Sequence, residues 1–150
     1  MTAHTSTDRR QSLRRIEQEV GVLIRRVRRV IGERARAVHP DLQPASYLLL
    51  AHVAEAGPVR ASALVDAIGI DKGAVSRQSQ HLVDLGLLTR TQDPDDGRAT
   101  LLAVSADARS RLDRVSRTRS ERFGQLLGEW SDDDLADFAS RLARYNDTLD

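Results

Sequence analysis

Residues 71–98 read DKGAVSRQSQHLVDLGLLTRTQDPDDGR, and this stretch decides the fold. Asp71 is a good helix N-cap, because its carboxylate can accept from the free N–H groups of a first turn. Val75, Leu82 and Leu85, with Val83 beside them, recur at helical spacing and predict a buried face. Lys72, Gly73, Ser76, Arg77 and Gln80 fall on the opposite face. Gln78, Ser79 and His81 lie on the flanks between the two. Gly86 suits a left-handed helix end. A short strand then leads to Asp93-Pro94-Asp95-Asp96-Gly97, whose residue types favour tight turns, with Arg98 just past them. A second strand, ATLLAV, covers Ala99 to Val104.

Helix, strand, charged hairpin and strand in this order form the second half of a winged helix-turn-helix. The first half lies immediately upstream. Ala61–Ile68 reads as a helix with Leu64, Val65 and Ile68 inward, and Gly69 closes it. Only Gly69 and Ile70 separate that helix from the Asp71 cap, a brevity that suits a helix-turn-helix. Val59 and Arg60 are expected to pair with the wing. Another helix starts near Pro44, runs through Tyr47 to Ala54 and stops at Gly57-Pro58.

The flanks are helical as well. Leu13, Ile16, Val20, Leu23, Val27 and Val30 step by three and four, predicting a long helix that ends before Pro40. Ser105 opens a helix expected to reach about Glu129, with Leu112, Val115, Phe123 and Leu126 inward. Ser131 followed by Asp132, Asp133 and Asp134 makes a capped helix start with acids at the positive end of the dipole. Leu135, Phe138, Leu142, Tyr145 and Leu149 then form a last seam. The fold class is thus mostly α with a small antiparallel β wing, in one integrated domain. Residues 41–104 form the winged helix-turn-helix lobe, 13–40 and 105–150 the flanking helices, and 1–12 a disordered tail.

Composition narrows the function. The chain has 150 residues, 40% of them hydrophobic, which is enough for a core. No apolar run reaches the ~20 residues of a membrane span, and the N-terminus lacks the apolar core of a secretory signal. There are no cysteines, which removes disulfides, thiolate metal sites and cysteine-based redox sensing. A cytoplasmic location is expected. The net charge is only +1, yet residues 1–40 hold ten arginines against four acids, and residues 131–150 two arginines against six acids. This asymmetry suits attraction between the two ends or binding to an anion.

The candidate chemistry is recognition of duplex DNA. Lys72, Gly73, Ser76, Arg77 and Gln80 offer donors and positive charge with little bulk, as a helix entering the major groove requires. Asp96 and Gly97 shape the wing turn, and Arg98 fits a minor groove, where narrow A·T-rich DNA attracts arginine. An Asp96–Arg98 ion pair with no DNA role is the competing reading of the wing. His4, His39, His52 and His81 show no metal-ligand spacing, and helix capping accounts for Asp132–Asp134, so no metal site or cofactor is expected. No nucleophile–base constellation or phosphate loop marks an enzyme.

VSRQSQHLVDLGLLTR, DPDDGR and LLAVS resemble the MarR family of bacterial transcriptional regulators. The carriers are the Ser76-Arg77 pair, the Leu82–Arg90 helix exit with its Leu-Gly-Leu core, and the Asp93, Asp96, Arg98 pattern of the wing. The family's next helix usually starts with a glycine-bearing motif, which here is Val104-Ser105-Ala106-Asp107-Ala108. The resemblance implies a homodimer joined through its terminal helices, with Leu13, Ile16, Val20, Leu135, Phe138, Leu142 and Tyr145 at the interface. It also implies a ligand-responsive repressor on an inverted-repeat operator, with a small-molecule effector whose contact residues the sequence does not single out. A winged helix that binds protein partners instead of DNA is the alternative, and the near-zero net charge suits it.

Overall fold

The structure, a computed structural model, describes residues 3–149, with side chains from Asp8 onward. Two compact units divide the chain, residues 1–115 and 116–150. The first contains α1 (Ala3–Val38), α2 (Pro44–Ala56), β1 (Val59–Arg60), α3 (Ala61–Ile68), α4 (Lys72–Asp84), β2 (Leu88–Gln92), β3 (Thr100–Val104) and the start of α5 (Ala106–Leu126). The second contains the rest of α5 and α6 (Asp132–Asn146).

Helix α2 is the centre of the first unit. Its sequence, PASYLLLAHVAEA, is apolar around much of its circumference, the pattern of a helix enclosed by neighbours. Leu49, Leu50 and Val53 are fully buried. They pack in one core with Ala35 and Val38 of α1, Leu64 of α3, Val75 and Leu82 of α4, Leu102 of β3 and Ala108 of α5. Two arginines of α5 close the open helix ends around this core. Arg111 donates to the Val38 carbonyl (2.9 Å) and Arg109 to the Ala54 carbonyl (3.1 Å), in the last turns of α1 and α2. Cations there satisfy free carbonyls and offset the negative end of the helix dipole.

The three strands are antiparallel in the order β1–β3–β2. Val59 lies opposite Leu102, as does Arg90 from the other side, and Leu88 lies opposite Val104. Gly69 (φ 70°) makes the left-handed turn from α3 to α4, and Gly86 (φ 70°) does the same after α4.

Helix α1 differs from expectation at its start. It begins at Ala3, inside the stretch 1–12 that was expected to be a tail; residues 1 and 2 lie outside the described residues. No proline or glycine precedes Gly21, so nothing local stops the helix from propagating outward. Only its C-terminal third reaches the core. Leu13, Ile16, Leu23, Ile24 and Val27 are between 44% and 50% exposed.

In the second unit, Ser131 and Asp134 form a capping box. The Ser131 hydroxyl accepts from the Asp134 N–H at 3.1 Å, and the Asp134 carboxylate accepts in return from Ser131. Trp130 packs edge-on against Phe138, with ring centroids 5.5 Å apart. Phe123 and Leu126, expected inward, are instead 61% and 70% exposed, and α5 ends at Leu126 rather than near Glu129. Phe138, Leu142 and Tyr145 of α6 are exposed too, as is Leu149 beyond its end. A unit of two short helical segments has too little volume to enclose its own apolar side chains. Among the described residues no helix is long and apolar enough to cross a membrane.

Leu50→Ala leaves a cavity at the crossing of α2 with its neighbours. It should destabilise the protein by about 2–5 kcal/mol, read as a lower urea midpoint at unchanged slope. A change below about 1 kcal/mol would show that α2 is not the centre of the core.

Candidate nucleic-acid interface

The exposed face of α4 is set by its buried face. Val75 and Leu82 anchor the helix in the core, and Asp71 caps it by accepting from the Ala74 N–H at 2.9 Å. Lys72, Gly73, Ser76, Arg77 and Gln80 are thereby turned to solvent, on the face their spacing predicts. A β-carbon at position 73 would lie 3.0 Å from the Asp71 carboxylate and 3.3 Å from the Arg77 guanidinium. Glycine thus leaves room for both the cap and the arginine. Gln80 donates to Asp84 (2.7 Å), which ties its amide along the helix.

The flanking residues separate. Ser79 is 2% exposed, so it faces the interior. Gln78 is half-buried, and the His81 ring nitrogen Nε2 lies 3.3 Å from the Asp41 carbonyl, in the segment joining α1 to α2. None of the three is as exposed as Lys72, Ser76 or Arg77.

The wing turn is built around Asp93, which is only 6% exposed. Its carboxylate accepts from the Asp95 N–H at 2.9 Å and from Arg60 Nε at 2.6 Å. Arg60 Nη1 also lies 3.8 Å from Asp96. The Asp96 carboxylate accepts from the backbone N–H of Arg98 (3.1 Å), and Gln92 donates to the Gly97 carbonyl (2.7 Å). Among the described residues, the ion pairs of the wing therefore run to Arg60, and an Asp96–Arg98 side-chain pair does not form. The Arg98 side chain is exposed. Asp93 is held below the ordinary carboxylate range. The Asp95 amide is the largest cause, burial opposes it, and the hydrogen bond and charge of Arg60 lower it further.

Between α3, α4 and the sheet lies a cleft of about 450 Å³. Val75 and Leu102 contribute its apolar wall; Lys72, Ser76, Arg90 and Thr100 its polar rim. Arg90 was not singled out from sequence, although the alternation of β2 contains the signal. Leu88 and Arg90 point to the same side of the strand. That side is core at Leu88 and has opened into the cleft by Arg90. Arg60 was read only as a strand residue, because its partners lie 33 and 36 positions away and no local pattern announces them. The residues expected at a dimer interface fall in both units: Leu13, Ile16 and Val20 in the first, and Leu135, Phe138, Leu142 and Tyr145 in the second.

Comparison with known proteins gives this surface a context. The MarR family model matches residues 41–99. The HTH-type transcriptional regulator YxaD of Bacillus subtilis is 34% identical over 131 residues, covering 87% of this chain and 90% of the relative. Among solved structures, E. coli MarR in its apo form aligns with a TM-score of 0.68 at 18% identity, over 86% of this chain and 94% of the other. A MarR family regulator from Listeria monocytogenes, solved with a 26-mer DNA, aligns with a TM-score of 0.70 at 17% identity, over 88% of this chain and 87% of the other. At these identities the structural likeness speaks to the fold.

The environment of Asp93 gives stability one acid-sensitive contribution. Its folded-state pKa is lowered, so its contribution is present above the unfolded carboxylate value and is lost as pH falls through the lower folded value. Thermal stability should therefore gain an acid-side slope below about pH 4 that Asp93→Asn reduces. Identical acid limbs for the two proteins would show that Asp93 carries no linked charge.

Proposed function

The chain belongs to the MarR family of transcriptional regulators, and from that membership we propose that it binds a specific duplex operator as a homodimer and represses transcription in response to a small-molecule effector. The observation that carries the reading is the exposed, donor-rich face of α4, where Lys72, Gly73, Ser76, Arg77 and Gln80 stand clear of the core. Ser76 and Arg77 would contact bases or nearby phosphates, and Lys72, Arg90 and Gln80 would hold the backbone. Arg98, shaped by Asp96 and Gly97, would enter the adjacent minor groove. The cytoplasm is where such a regulator works.

The homodimer is supported by the exposed seams. Leu13 and Ile16 on α1, and Phe138, Leu142 and Tyr145 on α6, are more than a third exposed in the single chain. Val20 and Leu135 continue the same seams, half-buried. Removing such surface from water contributes about 25 cal/mol per Å². Two copies would also set two α4 helices about one DNA turn apart, which calls for an inverted repeat with half-sites about 10 bp between centres.

Binding to DNA should be specific and steeply salt-dependent, with operator duplex preferred about 10³-fold or more over random duplex. Arg77→Ala should weaken operator binding by about 1–3 kcal/mol without lowering thermal stability, since the side chain is exposed. Gel shifts with duplexes selected from genomic DNA test this. Equal affinity for every duplex would sink the reading and favour a protein partner instead.

Leu142 sits mid-seam and is 38% exposed, so Leu142→Asp is compatible with folding of the single chain. In a dimer the same carboxylate would be buried against apolar neighbours, at a high cost. The variant should sediment as a monomer at micromolar concentration and lose operator binding with its α4 face intact. Trp130, edge-on to Phe138, supplies a fluorescence reporter of the same event. A variant that remains dimeric and binds normally would rule out this interface.

A further inference from the structure

The wing presents a charge problem. Residues 93–98, Asp-Pro-Asp-Asp-Gly-Arg, carry three carboxylates and one guanidinium. A turn of that balance is repelled by phosphates, and Asp93 is buried as well, where an unpaired charge is costly. The solution comes from outside the hairpin. Arg60 reaches Asp93 through Nε at 2.6 Å and Asp96 through Nη1 at 3.8 Å.

We propose that Arg60 is the positioning residue of the wing: it neutralises Asp93 and Asp96 together and fixes the turn that presents Arg98 to DNA. The inference rests on the DNA-binding reading and deepens it. The base of the clamp is built into regular structure. Arg60 pairs with Leu101 in the sheet and is the N-cap residue of α3, so two elements fix its backbone. Its guanidinium bears on the backbone at Arg98 through one intermediate, because the Asp96 carboxylate that faces Arg60 also accepts from the Arg98 N–H at 3.1 Å. Asp93 relays the same hold to the Asp95 N–H. The wing is thereby anchored to the start of the helix that packs against α4. Arginine suits the task because its planar fork serves two carboxylates at once, whereas a lysine offers a single point charge.

The test uses the full-length protein with Arg60→Ala, Arg60→Lys, Arg98→Ala and the Arg60→Ala/Arg98→Ala double variant. Hydrogen exchange across residues 93–99 reads the turn directly, without DNA. Arg60→Ala should speed exchange there about tenfold while α4 exchanges as before. Operator affinity should fall about tenfold in each single alanine variant, and Arg98→Ala should cost less than about threefold more once Arg60 is gone. Arg60→Lys should fall between wild type and Arg60→Ala in both measurements. Unchanged exchange in the turn overturns the clamp whatever the DNA result. Accelerated exchange with strictly additive affinity losses overturns the positioning of Arg98, since Arg60 would then act on DNA independently. If Arg60→Ala fails to fold, Asp93→Asn decides, because it keeps an acceptor for the Asp95 N–H and deletes the charge pair. Faster wing exchange in that variant supports the clamp and unchanged exchange refutes it. A wild-type protein with no preference for any duplex overturns the proposed function instead, and the exchange result then judges the clamp alone.

Discussion

The burial of α2 is the constraint on which the first unit depends. Leu49, Leu50 and Val53 have no exposed surface, and α1, α4 and β3 all pack on this one helix. Close-packed interiors transmit position, because side chains in a dense core cannot shift independently. The exposed face of α4 is therefore fixed from behind by Val75 and Leu82, and the sheet by Leu88 and Leu102. The surface that carries the functional reading contributes little to holding itself in place. Its residues are free to be chosen for their chemistry.

Electrostatics refine what packing sets. The chain is nearly neutral, so long-range attraction to a polyanion rests on how its charges are distributed. Arginines take several distinct tasks. Arg109 and Arg111 close the ends of α2 and α1, Arg60 gathers the wing carboxylates, and Arg77, Arg90 and Arg98 are left exposed on α4 and the wing. Counting cations would not separate these roles, since each depends on what lies within a few ångströms of the guanidinium.

The two terminal seams show the limit of reading burial from periodicity. Their apolar residues recur at helical spacing, as a buried face requires, yet most of them remain exposed between Leu13 and Val27 and between Phe123 and Leu149, with Val20 and Leu135 half-buried. The pattern says that such a face needs covering. It does not say whether the cover comes from the same chain, which is why Phe123 and Leu126 were expected inward and are not.

The sequence by itself determined nearly every element of the first unit and the exposed face of α4. Ala61–Ile68 is the helix its apolar spacing predicts, Asp71 is its neighbour's cap, and Val59-Arg60 pairs with the wing as expected. These features are local: a cap, a turn glycine or a period of 3.6 acts over a few residues, so a short window contains its cause. Tertiary structure alone decided the rest. It buried Ser79, opened the strand face at Arg90 into a cleft, and joined Arg60 to Asp93 across 33 residues. Those outcomes follow from which surfaces meet when the elements pack, and chain proximity holds no record of such meetings.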